Sequence, residues 1–244
     1  MKIHLCNPNT TASMTEACAI AGRAVAAPGT EIVATNPVDG PVSIESQYDS
    51  AWCVPGLLDL VRREEAAGAD AHIVACFRDP GLEACREISS GPVLGIAEAA
   101  MHAASMLGRG FTILTTLPRS VPVQEGLARK YGFGGHLRSV RPLNVPVLEL
   151  EDPTSAAADR VIALTKAARD EDGADCVLLG CAGLVDLAKR VSDETGVVVL
   201  DGVVAAVKMA EALVGAGYKT AKAGGYAAPR PKPYTGKFAD AAPE

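Results

Sequence analysis

The chain is short of aromatic residues, which make up 4% of its 244 positions. A surface that stacks bases needs aromatic faces beside clustered Lys and Arg. The formal net charge is instead −6 and no basic stripe is present, which argues against a nucleic-acid partner. No apolar run approaches the roughly 20 residues of a membrane-spanning helix, so no membrane partner is expected. The opening segment Met1-Lys2-Ile3-His4-Leu5-Cys6-Asn7 turns polar too soon for a signal peptide. Seven cysteines are an odd number, and no Cys-x-x-Cys pair occurs. In an oxidising compartment that would leave a thiol unpaired, so a cytoplasmic location is expected. His4, His72, His102 and His136 are far apart and none sits at ligand spacing from a cysteine, so no metal is expected. A glycine-rich phosphate loop and a Gly-x-Ser-x-Gly elbow are also missing. Such a chain must do any chemistry with its own side chains.

What is present is material for a large core: 48% hydrophobic residues against 21% charged. Short β-rich runs alternate with helical stretches, the pattern of βα units and parallel sheets. Strands are predicted near residues 3–7, 31–36, 71–76, 93–96, 111–115, 137–141, 175–180 and 197–200. Helices are predicted near 11–26, 48–67, 81–89, 97–107, 120–131, 154–172, 184–194 and 203–214. The expected fold is α/β: two similar open parallel-sheet half-domains, Rossmann-like or flavodoxin-like, related by a pseudo-twofold, with the active site between them. The first half covers 1–96, the helix at 97–107 bridges, and the second half covers 108–215. The Pro-rich stretch 216–244 should be an extended arm packing back on the body.

Two segments end in a cysteine at the same local address. Gly68-Ala69-Asp70 leads through an apolar run to Cys76, and Gly173-Ala174-Asp175 leads through another to Cys181. At the same offset of 105, Leu82 falls on Leu187, Gly91 on Gly196 and Val93 on Val198. We read this as an internal duplication in which each half delivers one thiol from a strand end. Free cysteine is among the most buried residue types, and packing alone suits Cys6, Cys18, Cys53, Cys85 and Cys176. Ligands, however, bind at the carboxyl ends of strands in doubly wound sheets. There Cys76 and Cys181 form a candidate catalytic proton-transfer pair, each expected just ahead of a helix N-terminus that would favour the thiolate.

Other candidates remain open between structure and function. In Asn7-Pro8-Asn9-Thr10-Thr11, Thr10 or Thr11 could simply cap a helix, or Asn9 could reach the crevice. Thr115 and Thr116 stand in the corresponding place in the second half. Pro41-Val42-Ser43-Ile44-Glu45 could wall the pocket, with Ile44 inward. Phe77-Arg78-Asp79-Pro80-Gly81 could be only a turn.

Taken together, the chain resembles the aspartate/glutamate racemase superfamily, and within it the hydantoin and allantoin racemase branch. The motifs carrying the resemblance are Asn7-Pro8-Asn9-Thr10-Thr11 with Ser13-Met14-Thr15, Pro41-Val42-Ser43-Ile44-Glu45, Ala75-Cys76-Phe77, Asp79-Pro80-Gly81-Leu82, Gly95-Ile96-Ala97-Glu98-Ala99-Ala100, Thr115-Thr116-Leu117-Pro118-Arg119-Ser120, Val145-Pro146-Val147-Leu148, Leu179-Gly180-Cys181-Ala182-Gly183 and Asp201-Gly202-Val203. They span nearly the whole chain apart from the tail. The resemblance implies a cofactor-independent, homo-oligomeric racemase, a tetramer or hexamer, with Cys76 and Cys181 as its catalytic pair. It implies a small cyclic ureide as substrate, with Asn9, Ile44, Phe77, Asp79, Thr115, Thr116, Ala182 and Gly183 around it. Arg78 departs from the pattern, which has an acidic or small residue there, and a polar donor at that place would favour allantoin.

Racemases of free aspartate or glutamate resemble this chain but follow the first thiol with Asn-Thr and the second with Thr-His. Here Phe77 and Ala182-Gly183 follow, a setting that suits an uncharged ring better than a zwitterion, whose buried charges need partners. The expected reaction is therefore racemisation of 5-monosubstituted hydantoins at C5, with allantoin, whose C5 carries a ureido group, as the alternative. A decarboxylase-type enzyme with a single cysteine and a non-enzymatic binding protein are more remote alternatives. Cys76 argues against the former.

Overall fold

Eight short strands supply the frame, and their burial explains why they form. The structure is a computed structural model that describes residues 1–151 and 157–243. Strands β1 (Lys2–Cys6), β2 (Glu31–Thr35), β3 (Ala71–Val74) and β4 (Val93–Gly95) form one all-parallel sheet in the order β2-β1-β3-β4. Strands β5 (Phe111–Thr115), β6 (Leu137–Pro142), β7 (Cys176–Leu179) and β8 (Val198–Asp201) form a second in the order β6-β5-β7-β8. The central strands β3, β5 and β7 are buried at every residue, as parallel strands covered on both faces must be. The two sheets thus repeat one topology, and β3 and β4 map onto β7 and β8 at the 105-residue offset seen in the sequence.

The helices are α1 (Ala12–Val25), α2 (Gln47–Trp52), α3 (Val54–Ala66), α4 (Leu82–Ile88), α5 (Ile96–Leu107), α6 (Val121–Lys130), α7 (Ala157–Asp172), α8 (Ala188–Thr195) and α9 (Gly202–Gly215). The helices after the fourth strand of each sheet change sides. Helix α5 packs on β7 and β8, while α9 packs on β3 and β4, and the two helices pack on each other. Small residues permit this: Ala97, Ala100 and Ala104 on α5 and Ala206 and Ala210 on α9 are buried in one core with Ile3, Ile73, Ile113 and Leu178. A core shared by both sheets fixes the two strand-end regions relative to one another.

Three elements differ from the sequence reading. The helix expected over 48–67 is two helices, because Pro55 in the first turn of α3 has no N–H to continue α2. Helix α2 carries its own start, a capping box in which Ser46 Oγ accepts from Asp49 N at 3.0 Å and Ser46 N donates to Asp49 Oδ2 at 2.8 Å. The segment expected to be helical from 184 begins as a 3-10 turn, Ala182–Leu187, before α8. Residues 154–156, expected at the head of α7, lie outside the described residues. After α9 the chain carries one 3-10 turn, Gly236–Ala241. It runs back over the first sheet's side, where Thr220 N donates to Ser90 O at 3.1 Å and Arg62 Nη2 to Ala241 O at 2.9 Å. Among the described residues no helix is long and apolar enough to cross a membrane.

Candidate active site

Cys76 and Cys181 occupy equivalent places with the same local backbone. Each follows the residue that extends its strand's ladder by one bond: Ala75 N donates to Cys6 O at 2.8 Å, and Gly180 N to Leu114 O at 2.7 Å. Each cysteine carbonyl then closes a tight turn, accepting from Asp79 N at 2.9 Å and from Leu184 N at 3.1 Å. Position 180 has to be glycine, since a Cβ there would stand 2.6 Å from Leu114 O.

Both cysteines line one cavity at the carboxyl ends of the two sheets. Of the other residues expected there, Asn9, Ile44, Phe77, Thr115, Thr116 and Ala182 line it too. Asn9 is held by its loop: its Oδ1 accepts from Thr11 N at 2.9 Å and from Asn7 Nδ2 at 3.0 Å. That leaves its amide nitrogen turned to Met14 Sδ, 3.6 Å away. Thr11 stands at the N-cap of α1 without capping it, because its hydroxyl donates to Val42 O at 2.7 Å. Gly183 belongs to the turn Ala182–Leu187, and its surroundings lie outside the described residues.

Asp79 corrects the sequence reading. It is not on the cavity wall. Its buried carboxylate accepts from Ala97 N at 3.1 Å, Glu98 N at 2.9 Å and Tyr131 Oη at 2.8 Å. The two amides are orphan N–H groups at the start of α5, so Asp79 ties the loop carrying Cys76 to that helix. Gly95 leaves room for it, since a side chain there would collide with the Asp79 carboxylate. The residue itself adopts φ 44°, a left-handed conformation that Asp tolerates and Ala does not.

Asp79→Ala should therefore lower unfolding stability by about 2–4 kcal/mol, losing a cap and leaving buried donors unmet. The variant also changes the pH response. Burial raises the Asp79 carboxyl to about 6, although three hydrogen bonds favour its charged form. The native state then binds this proton more tightly than the unfolded chain, so the group's contribution to stability falls as pH rises from about 4 to about 6. Urea unfolding across that window should show a flatter profile in the variant. An unchanged slope would mean that Asp79 does not titrate there.

The segment after β2 closes the cavity and joins the halves. Ile44 points inward, Glu45 Oε1 accepts from Val147 N at 2.7 Å, and Glu45 O accepts from Arg78 Nη2 at 2.8 Å. Arg78 also donates to Ser120 Oγ at 3.0 Å, and Gln124 Nε2 donates to the Phe77 carbonyl at 3.1 Å. Arg78, Ser120, Gln124, Met14 and Val147 all line the cavity. The sequence placed Met14, Ser120 and Val147 in motifs of the resemblance without assigning them to the site, singled out Arg78 as a departure and a donor, and gave no sign of Gln124. Ser120 and Gln124 are one turn apart, a possible signal, but nothing local says which face of α6 meets residues 77 and 78.

The electrostatics also differ from expectation. Cys76 is half-buried and is followed by a loop, with α4 starting only at Leu82. Burial pushes its thiol up to about 11, opposed by the Arg78 N–H and the Arg78 charge. The helix N-terminus expected to favour the thiolate is absent, and a guanidinium stands in that role. Burial likewise raises Cys6, and raises Cys53 and Cys85 to about 12, consistent with packing. Among the described residues the cavity wall carries one cation and no carboxylate, so a bound ammonium would find no counter-charge.

Comparison with known proteins fits this arrangement. The sequence profile described as Asp/Glu/Hydantoin racemase matches residues 3–210. Over 236 residues the chain is 49% identical to the hydantoin racemase of Rhizobium meliloti, spanning 97% of this chain and 98% of that one. It superposes on the allantoin racemase from Klebsiella pneumoniae with a TM-score of 0.97 at 44% identity, covering 100% of both chains. A glutamate racemase from Francisella tularensis, at 14% identity and TM-score 0.66 over 88% of this chain and 81% of that one, shares the fold alone. A full-length match of this order, on a duplicated α/β frame, places the protein among the isomerases: it belongs to the Asp/Glu/hydantoin racemase family and is a racemase.

Proposed function

We propose that the protein racemises 5-monosubstituted hydantoins at C5 by proton transfer between Cys76 and Cys181, without a cofactor. The observation that carries this reading is that two strand-end cysteines, equivalent in the two sheets, line one cavity. In this reading residues 1–96 and 108–215 each contribute one acid/base. C5 lies between a ring nitrogen and the C4 carbonyl, so its proton is acidic. One thiolate removes it from one face, the charge moves to the carbonyl oxygen, and the opposite thiol protonates the other face. With Cys76 held high by burial, we place the resting proton of the pair there. Of the backbone donors near the pocket, Asp79 N is already committed to Cys76 O. The enolate oxygen must then be met by other donors, worth several kcal/mol in such sites. A neutral ring also suits a wall with no carboxylate among its described residues.

The second reading is allantoin, favoured by one observation: Arg78 brings a buried guanidinium to the cavity, a donor for the carbonyl of a ureido substituent. Polarimetry on single enantiomers of 5-alkyl hydantoins, allantoin, aspartate and glutamate tests both. Rotation should decay to zero for the ureides and persist for the amino acids. Decay with the amino acids alone would overturn the reading. Since burial raises the Cys76 thiol to about 11, kcat/KM should rise as pH climbs above neutrality and the pair reaches its monoanionic form. The two enantiomers should rise in step, because their equilibrium constant is unity. A rate that falls over this range would argue against a thiolate base.

A further inference from the structure

Two buried polar atoms of cavity-lining residues have no hydrogen-bond partner among the described residues: Arg78 Nη1 and Gln124 Oε1. Their residues are only 8% and 1% exposed, and both line the cavity with Cys76 and Cys181. The rest of each side chain is committed. Arg78 Nη2 donates to Glu45 O and Ser120 Oγ, and Gln124 Nε2 donates to Phe77 O. A carbonyl only accepts, so that last bond fixes which end of the amide is oxygen. Ser120 and Gln124 are one helical turn apart, with Cβ atoms about 5–6 Å from each other, and they grip the consecutive residues 78 and 77. The residues that carry the open donor and the open acceptor are therefore tied to the same side of the cavity. Buried polar groups are almost always paired in native proteins, so a donor and acceptor left open there point to a ligand.

We propose that Arg78 and Gln124 are specificity-determining residues that together read a –CO–NH– edge of the substrate. Arg78 Nη1 donates to the carbonyl oxygen, and Gln124 Oε1 accepts from the adjacent N–H. The pair rejects other small polar groups. A carboxylate would satisfy the guanidinium but set its second oxygen against Gln124 Oε1. An ammonium would satisfy Gln124 but face a buried cation. A cyclic ureide offers the required edge in its ring, and a ureido substituent offers another copy of it. The inference rests on the ureide reading above and says which groups enforce it.

The test combines variants with N-methylated substrates. Wild-type, Gln124→Met, Arg78→Met and Arg78→Lys enzymes are assayed by polarimetry on a 5-alkyl hydantoin, its two ring N-methyl derivatives, allantoin, and allantoin methylated on the ureido chain. With wild type, methylating the N–H that Gln124 reads should lower kcat/KM about 10- to 100-fold, mainly through KM, as expected for one buried hydrogen bond. This arm needs no variant and does not depend on variant folding. Gln124→Met should lose a similar factor on the parent compound and little more on the methylated one. Arg78→Lys should recover part of the Arg78→Met loss, since an ammonium still donates. A ring-methyl effect assigns the edge to the ring, and a chain-methyl effect assigns it to the C5 substituent; either supports the proposal. Equal variant losses on every compound, whatever its methylation, would overturn it, as would no loss. If wild type turns over none of the ureides, the racemisation reading fails first, and the two failures are thereby separable.

Discussion

Cys76→Ser and Cys181→Ser should each lower racemisation by roughly 10³-fold or more, while the purified variants melt as cooperatively as the parent. The size follows from the chemistry, since positioned acid/base groups contribute up to about 10⁴-fold. A serine hydroxyl keeps the shape of the side chain but supplies no anion near neutral pH. In the proposed mechanism each enantiomer needs both cysteines, one to take the proton and one to give it, so either loss should stop inversion in both directions. The double variant should be no worse than the singles, because groups that act as a unit are not additive. The remaining cysteines provide the control. Cys6, Cys18, Cys53, Cys85 and Cys176 are buried and absent from the cavity wall. Serine there should leave activity within about tenfold and cost at most a few kcal/mol of stability. Optical rotation and circular dichroism decide the matter together. Full activity in Cys76→Ser or Cys181→Ser would end the two-base account.

The sequence carried the frame because parallel strands announce themselves. A run such as Cys176–Leu179 is apolar throughout, and all eight expected strands occur in the structure within one or two residues of their expected ends. The duplication was legible for a stricter reason. Equivalent backbone turns at Cys76 and Cys181 demand equivalent residues around them, so the register survives as an offset of 105. What could not be read is what depends on contacts between distant segments. Asp79 sits in a turn motif next to the candidate cysteine, and its sequence neighbourhood suggests the pocket. Only the fold shows its carboxylate turned to the start of α5, 18 residues on. Arg78 reaches Ser120 across 42 residues, and Gln124 reaches Phe77 across 47. No periodicity encodes such pairs. The raised thiol of Cys76 was hidden for the same reason. Burial is a property of packing, and a loop stands where a helix N-terminus was expected.

Isotope exchange should show the largest qualitative contrast. In D2O, wild-type enzyme given one hydantoin enantiomer should form product that carries deuterium at C5 from the first turnover, while the remaining substrate keeps its proton. The proton removed stays on one thiol, and the proton delivered comes from the other, which has already exchanged with solvent. The duplicated frame motivates this, because each sheet brings one thiol to the cavity from its own strand end. A single base serving both faces would instead carry much of the original proton into the product, or label substrate and product alike. The cysteine variants sharpen the result. Each retains a base on one side of the ring, so each should wash the C5 proton out of one enantiomer without inverting it. Proton NMR follows the loss of the C5 signal, and chiral chromatography confirms retention. Cys76→Ser and Cys181→Ser should select opposite enantiomers, since the base that remains approaches from opposite sides. Washout of the same enantiomer by both variants would show that the two thiols do not face each other across the substrate. The cavity would then hold one working thiol and one that only packs.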